Sequence, residues 1–144
     1  SVLQLLKTFE MNDRAITAGI GDITLDRQSS YGVVELQDRK IAKIFEKPQN
    51  HETESTQAMI GKFVVTKQIF DILESMASGR DGRISIAEAL NVALTVNTPI
   101  IACKLEGTRF DVGDKSDYIA ASIHYALKRD DMRPKILACI QSLV

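Results

Sequence analysis

Apolar residues recur at two different spacings along the chain, and the two spacings predict alternating helices and strands. Near the start, Val2, Leu5, Leu6 and Phe9 fall near the i, i+3, i+4, i+7 spacing of one helix face. Further helices are predicted at residues 67–75, from 84 or 85 to before 99, at 115–129 and after 134. Strands are predicted at 15–20, 58–66 and 100–105, with a short one ending within 110–114. This alternation predicts an α/β fold.

The same spacing predicts which helical side chains face the core. For the helix at 67–75, with Thr66 as its N-cap, they are Ile69, Phe70, Ile72 and Leu73. For the last helix they are Ile136, Leu137, Ile140 and Leu143. Residues 78–83 form a turn-rich break, which at this length is a connection within a domain. Gly61, inside a predicted strand, indicates either a β-bulge or a place where a ligand approaches the backbone.

Residues 31–48 predict a β-hairpin with a polar turn at 37–40. Its two arms carry the residues Val33, Leu36, Ile41, Ile44 and Phe45, which suit a pleated surface. Pro48 cannot donate a ladder hydrogen bond and therefore ends the second arm. Glu46 and Lys47 are thus left at a strand end.

Glu46 and Lys47 form the first candidate site. Successive strand side chains point to opposite faces, so the carboxylate and the ammonium can stand close together without neutralising each other. A carboxylate accepts hydrogen bonds from sugar hydroxyls and an ammonium binds a phosphate, so the pair suits a phosphorylated sugar. The competing interpretation is that these charges and Pro48 only protect an exposed strand edge from pairing with a neighbour.

The second candidate site lies at residues 111–114, Asp-Val-Gly-Asp. A carboxylate at a strand end, followed by a glycine, can reach a divalent cation, and Mg²⁺ often takes only one or two ligands from protein. Asp111 is the metal candidate. The alternative is that Asp114 caps the following helix while Asp111 braces the turn, and the two roles are compatible.

Composition narrows the class of protein. The chain has 144 residues, 44% hydrophobic and 26% charged, with a net charge of -1. These values predict one soluble domain and give no basic excess that would point to nucleic acid, and no apolar run is long enough to cross a membrane. Cys103 and Cys139 lie in apolar surroundings, so we expect two buried thiols and a reducing, cytoplasmic location. His51 is predicted to be a solvated loop residue, and His124 a packing or surface residue.

Four motifs taken together resemble a known family. They are Tyr-Gly-Val-Val at 31–34, Phe-Glu-Lys-Pro at 45–48, Ile-Gly-Lys-Phe-Val-Val at 60–65 and Phe-Asp-Val-Gly-Asp-Lys at 110–115. In order and spacing, nearly the whole chain resembles the C-terminal half of bacterial UTP–glucose-1-phosphate uridylyltransferases, also called UDP-glucose pyrophosphorylases. The resemblance implies part of a Rossmann-like nucleotide-diphospho-sugar transferase fold, with a mixed sheet and flanking helices. It also implies synthesis of UDP-glucose and pyrophosphate from UTP and glucose 1-phosphate.

Carried over residue by residue, the resemblance assigns four positions. Gly32 would let the sugar ring lie against bare backbone, and Glu46 would accept hydrogen bonds from sugar hydroxyls. Lys47 would hold the sugar phosphate as it attacks, as both a catalytic and a binding residue. Asp111 would be one of two carboxylate ligands of Mg²⁺. The partners implied are UTP, glucose 1-phosphate and, for the full-length protein, further copies of itself.

The resemblance also shapes what is expected of the chain as a whole. Residues 1–144 are expected to be the sugar-phosphate portion of a longer protein, because the chain starts without methionine, inside a helical pattern. The family's glycine-rich triphosphate loop and other metal-binding aspartate are not found, so the chain is expected to be inactive alone. A departure at 83–88 removes a capping threonine. Thymidylyl or guanylyl transfer, or a non-catalytic nucleotide-sugar-binding or assembly role, are the alternatives.

Overall fold

The computed structural model describes residues 1–49, 52–76 and 85–143, which form two compact units, Ser1–Glu106 and Gly107–Val144. The helices of the first unit are α1 Val2–Met11, α2 Lys67–Ser75 and α3 Ile86–Thr95, with a 3-10 helix at Leu25–Ser30. Its strands are β1 Ile16–Asp22, β2 Gly32–Gln37, β3 Lys40–Glu46, β4 Gln57–Val64 and β5 Ile100–Lys104. The second unit contains α4 Lys115–Leu127 and α5 Arg133–Leu143. The predicted α/β class is confirmed.

The strands of the first unit form one mixed sheet in the order β1-β4-β2-β3-β5, which closes on itself. β1 and β5 run parallel, whereas the other neighbours are antiparallel. Closure depends on a short contact: Lys40 pairs with Ile101, and the Ala102 N–H donates to the Arg39 carbonyl oxygen over 2.9 Å. The parallel pair among antiparallel ones gives the mixed sheet that the family resemblance implies.

The predicted hairpin is confirmed, and its turn is as tight as a hairpin allows. Gln37 still pairs with Lys40, so only Asp38 and Arg39 lie outside the ladder, with φ of 55° and 81°. Two successive positive φ angles are typical of the turn whose twist matches that of the flanking strands. The turn fixes the register of the pairs next to it. A β-bulge beyond Leu36, where Ala42 is the extra residue of β3, shifts the pairing by one so that Gly32 opposes Glu46.

β4 carries the bulge that Gly61 predicted. Ala18 pairs with Phe63 and Ile20 with Met59, so three residues of β4 oppose Gly19 alone. Gly61 has φ of 83°, a conformation that glycine adopts without the strain a side chain would bring. The backbones approach so closely here that a Cβ on Gly19 would lie 2.8 Å from the Gly61 carbonyl oxygen.

The main core lies between the sheet and the helices α2 and α3. Ile69 of α2 and Leu90 of α3 are completely buried in it. The prediction that Phe70 faces this core is wrong, because Phe70 is 57% exposed. Neighbouring helical residues are about 100° apart, so the stripe through Ile69, Ile72 and Leu73 turns Phe70 away from the sheet.

α1 forms where it was predicted but buries less of its apolar side. Leu5 is fully buried, and Phe9 is half-buried. Val2 and Leu6 are 52% and 42% exposed, so the helix rests on the sheet through a narrow stripe.

The helix α3 begins with a side-chain cap. Ser85 is its N-cap and accepts a hydrogen bond from the Ala87 N–H. α3 therefore has a side-chain cap although the family's threonine is absent at 83–88; the turn-rich break at 78–83 lies outside the described residues.

The second unit corrects two predictions. Residues 110–114 form a turn rather than the end of a strand. α5 contains no buried residue among those described, and the predicted inner residues Leu137 and Leu143 are 41% and 80% exposed. A helix buries a side only against another element, and a pair of helices offers little surface for that. His124 packs as predicted, with its ring centroid 5.2 Å from that of Phe110.

The thiols differ from each other. Cys103 is buried as predicted, and its sulfur accepts a hydrogen bond from the Thr8 hydroxyl over 3.3 Å. The prediction that Cys139 is buried is wrong. Cys139 is exposed, because α5, the helix that carries it, has no buried residue among those described. Across residues 1–49, 52–76 and 85–143, none of the helices has the length and apolar character needed to traverse a bilayer. His51 lies outside the described residues.

Candidate functional site

The end of the hairpin opposite its turn brings Gly32 and Glu46 together. Gly32 opens β2, Glu46 closes β3, and the two are direct partners in the ladder. The next pair on the same face is Val34 with Ile44, and both of these side chains belong to the main core. Glu46 thus stands where this apolar face reaches solvent, and it is exposed.

Gly32 is packed as closely as its lack of a side chain permits. A Cβ at this position would lie 3.2 Å from Glu46 Oε2 and 2.7 Å from the terminal methyl of Met59. Met59 is the ladder partner of Gly32 on β4. A carboxylate oxygen and an apolar methyl therefore meet over one bare stretch of backbone. A sugar has both hydroxyl groups and apolar C–H faces. A hydrogen-bond acceptor beside an apolar surface therefore suits the binding of a sugar.

Lys47 follows directly, and its backbone is held in an unusual conformation. Its φ is 48°, in the left-handed region, and its N–H donates to the Tyr31 carbonyl oxygen over 3.1 Å. The hydrogen bond stabilises a conformation that costs a residue with a side chain about 1 kcal/mol or more. The Lys47 side chain is exposed, whereas Pro48 after it is buried. The chain is thereby turned away from the strand direction at the lysine.

Neither Glu46 nor Lys47 takes part in an ion pair with any residue that the structure describes. Their charges are therefore available to a ligand. Lysine presents a compact ammonium on a flexible stem, which suits a phosphate, and the carboxylate can accept two or more hydroxyl hydrogen bonds. The structure thus brings Gly32, Glu46 and Lys47 into one small region.

Asp111 belongs to the second unit, Gly107–Val144. It is half-buried, and its Oδ1 accepts a hydrogen bond from the Gly113 N–H over 3.1 Å. The predicted cap is confirmed: Asp114 accepts hydrogen bonds from the N–H groups of Ser116 and Asp117, each over 2.9 Å. Asp114 therefore caps α4, and Asp111 remains the residue predicted to bind a metal.

The test of Asp111 as a metal ligand rests on its donor chemistry. It offers hard carboxylate oxygens, which Mg²⁺ prefers, and one protein carboxylate is enough when substrate phosphates and water complete the shell. No group of three or more histidine, cysteine, aspartate or glutamate side chains placed to hold a metal occurs among the described residues. The carboxylate of Asp111 therefore has the donor chemistry that Mg²⁺ prefers.

Sequence reasoning missed a polar network beside the hairpin. The Gln28 amide is 5% exposed and donates to the carbonyl oxygens of Thr53 and Ser55, over 3.0 and 2.8 Å. Thr53 donates to Glu35 over 2.7 Å, and Ser55 donates to the Val34 carbonyl oxygen over 2.6 Å. Gln28 lies in a stretch that reads as a polar surface loop, and no local pattern distinguishes a buried glutamine there.

A second polar cluster joins β1 to β5. Lys104 lies 2.8 Å from Asp22, and Gln57 donates to the same carboxylate. The hydrogen bond from Lys104, followed by that from Gln57, lowers the pKa of Asp22 below its usual value of 3.8. Both charged side chains are more than half exposed, so the pair contributes little to stability.

Two cavities of the first unit lie away from the hairpin end. One of about 380 Å³ lies at the start of β1, between Arg14, Lys40 and Thr66. Another of about 390 Å³ lies between α1 and β5, beside Lys7 and Lys104. Neither is lined by Gly32, Glu46 or Lys47. The candidate site at the hairpin end therefore belongs to neither of these two cavities.

Comparison with known proteins identifies the family. The sequence model of the nucleotidyl transferases matches residues 1–128, and the chain therefore belongs to the nucleotidyl transferase family. Within it, the chain is 30% identical to a UTP–glucose-1-phosphate uridylyltransferase of Staphylococcus saprophyticus, over 99% of the chain and 51% of the relative. It is 29% identical to that of Mycoplasma pneumoniae, over 98% and 51%. The chain spans about half the length of these curated relatives.

Solved structures agree with this assignment. A UDP-glucose pyrophosphorylase complexed with UDP-glucose is 31% identical, with a TM-score of 0.76 over 90% of this chain and 50% of that one. The UTP-bound enzyme of Acinetobacter baumannii is 20% identical with a TM-score of 0.80, covering 98% and 50%, and supports the fold alone. The resemblance drawn from the four motifs is confirmed, and so is the nucleotidyltransferase fold with its mixed sheet and flanking helices.

Proposed function

We propose that the complete protein containing this chain transfers UMP from UTP to glucose 1-phosphate. A phosphate oxygen of glucose 1-phosphate bonds to the α-phosphorus of UTP, and the bond from that phosphorus to the bridging oxygen breaks, so UDP-glucose and pyrophosphate are formed. The names of the relatives support this choice of substrates. Such a reaction needs positioned reactants and neutralised charge more than covalent chemistry by the enzyme.

In this proposal the chain supplies the sugar-phosphate side of the site. Gly32 lets the sugar ring lie against bare backbone once the flexible end of the Met59 side chain moves aside. Glu46 accepts the hydroxyl hydrogen bonds of the sugar, and Lys47 holds the phosphate that attacks. The observation that carries the proposal is the meeting of Glu46 Oε2 and the Met59 methyl over Gly32, beside a lysine that forms no ion pair with any described residue. A strand end that served only as edge protection would not require bare backbone between those groups.

Asp111 is proposed as a ligand of Mg²⁺ in the complete protein. A bound Mg²⁺ would neutralise charge on the reacting phosphates. The second metal ligand and the triphosphate loop are assigned to the part of the protein outside this chain, so residues 1–144 are proposed to be inactive alone. We also propose that the complete protein is a cytoplasmic homo-oligomer, in keeping with the free thiols Cys103 and Cys139 and with the uncovered apolar residues of α5.

The test is pyrophosphate release from UTP and glucose 1-phosphate, with and without Mg²⁺, by the complete protein and by residues 1–144. Replacing Lys47 with alanine should lower turnover by about 100-fold or more, because a charged group aimed at the reacting phosphate is lost. Lys43→Ala is the control: this lysine lies on β3, the strand that Lys47 follows, with its ammonium 4.2 Å from the centre of the Phe45 ring. It should turn over at the wild-type rate.

Three outcomes would overturn parts of the proposal. Unchanged turnover of Lys47→Ala would exclude the assigned role of the lysine. Activity of residues 1–144 alone would disprove the assignment of the nucleotide side to the rest of the protein. If the complete protein is inactive with UTP but active with dTTP or with GTP and mannose 1-phosphate, the base or sugar is wrong; if it accepts no pair, a non-catalytic role is the better explanation.

A further inference from the structure

The side chain of Gln28 connects three segments that would otherwise be independent. It extends from the 3-10 helix Leu25–Ser30, and its amide nitrogen donates to two carbonyl oxygens of the loop at 52–56, those of Thr53 and Ser55. Ser55 in turn donates to the Val34 carbonyl oxygen of β2. Glutamine has two amide hydrogens, and both are used, so the loop and the 3-10 helix are held at a fixed separation.

The 3-10 helix leads directly to the candidate site. The Gln28 carbonyl oxygen accepts the Tyr31 N–H over 3.1 Å, and the Tyr31 carbonyl oxygen accepts the Lys47 N–H over 3.1 Å. A continuous path of hydrogen bonds thus runs from the buried amide to the backbone of the lysine. Because Lys47 is held in a left-handed conformation, its direction depends on the position of the Tyr31 carbonyl.

From this arrangement we propose that Gln28 is a positioning residue for the sugar-phosphate site, acting on Lys47 through Tyr31. The identity of the ligand rests on the proposed function. The hydrogen-bonded path from Gln28 through Tyr31 to Lys47 does not depend on it. An apolar residue of the same length would fill the space and would remove the Gln28 donor from one buried and one partly buried carbonyl oxygen, those of Thr53 and Ser55. The loop at 52–56 would then separate from the 3-10 helix, and Lys47 would sample other directions.

The test compares Gln28→Met in the complete protein with Gln68→Met. Gln68 also donates one side-chain hydrogen bond between elements, to Thr98 over 2.9 Å, but it lies on α2. In Gln28→Met, the Lys47 amide should exchange its hydrogen about tenfold faster, since one or two buried hydrogen bonds are lost. The KM for glucose 1-phosphate should rise about tenfold with the KM for UTP changed less than about twofold. Gln68→Met should change neither.

The two measurements separate the two claims. Unchanged Lys47 exchange in folded Gln28→Met overturns the positioning role, whatever the activity. Equal increases in both KM values overturn it as well, because they would indicate general loosening. If the wild-type protein has no transferase activity, the proposed function fails, and the exchange measurement still decides the role of Gln28. Should Gln28→Met not fold, Ser55→Ala releases the same loop from β2 and is judged by the same exchange rate.

Discussion

Replacing Gly32 with alanine should change the affinity for the sugar phosphate more than it changes the stability of the fold. The new Cβ would lie 2.7 Å from the Met59 methyl, which is closer than van der Waals contact allows, so one of the two groups must move. That methyl is the end of a flexible side chain that can move aside. Gly32 is not among the glycines with positive φ, so its backbone accepts alanine. Gly→Ala at a compatible position stabilises by about 0.4–1 kcal/mol, which offsets part of the repacking cost.

The expected change in the free energy of unfolding is therefore about 1 kcal/mol or less, in either direction. The affinity for glucose 1-phosphate should change more strongly, because the methyl group of the new alanine occupies the space proposed for the sugar ring and pushes against Glu46. Overpacking a fitted site costs about 1–3 kcal/mol, which corresponds to about 5- to 150-fold in the dissociation constant. The assay is calorimetric titration of the complete protein with glucose 1-phosphate, beside urea unfolding of the same sample.

Gly21→Ala is the matched control. Its Cβ would also meet the end of a flexible side chain, the Ile60 δ-methyl at 2.8 Å, but away from Glu46. This variant should show a similar small change in stability and wild-type affinity. Wild-type affinity in Gly32→Ala would refute the reasoning, since the sugar could not then lie against Gly32. A large loss of stability would show instead that Met59 cannot move.

Two further predictions concern stability alone. Ser85→Ala should lower the free energy of unfolding by about 1 kcal/mol, because α3 loses its side-chain cap. Thr66→Ala should cost much less, since Thr66 precedes α2 without a side-chain capping bond; equal costs in urea unfolding would contradict this. Asp22→Asn should lower stability by less than about 1 kcal/mol at neutral pH and low salt. The Asp22 pKa is lowered by Lys104, so this contribution is present above pH 3.8 and is lost as pH falls through the folded-state pKa. A difference between Asp22→Asn and the wild-type protein that persists in stronger acid would count against the pair.

Local patterns predicted the elements well where the periodicity was strong. The helix at 67–75 has the predicted bounds, and the hairpin and the bulge at Gly61 lie where the turn residues and glycine indicated. The spacing also placed Phe70 inside, because a hydrophobic side chain next to a stripe cannot be distinguished from one within it until the helix has been rotated against the sheet.

The candidate site was predictable only in part, for a physical reason. Glu46 and Lys47 are neighbours in sequence, so local rules place them together, whereas Gly32 opposes Glu46 only because of the bulge at Ala42, which no local pattern indicated. Gln28 is linked to Thr53 across 25 positions. Nothing within either segment specifies that pairing, which arises only when the 3-10 helix and the loop at 52–56 are packed against β2. Contacts of this kind require the tertiary structure.

The unequal surroundings of the thiols offer a practical consequence for spectroscopy. Cys103 is buried in the sheet and accepts a hydrogen bond from the Thr8 hydroxyl, whereas Cys139 is exposed on α5. Reagents such as maleimides react with accessible thiolates, so the native chain should accept a single fluorophore, at Cys139. The second unit could thus be labelled specifically without engineering, and a second dye would attach only when unfolding exposes the interior thiol.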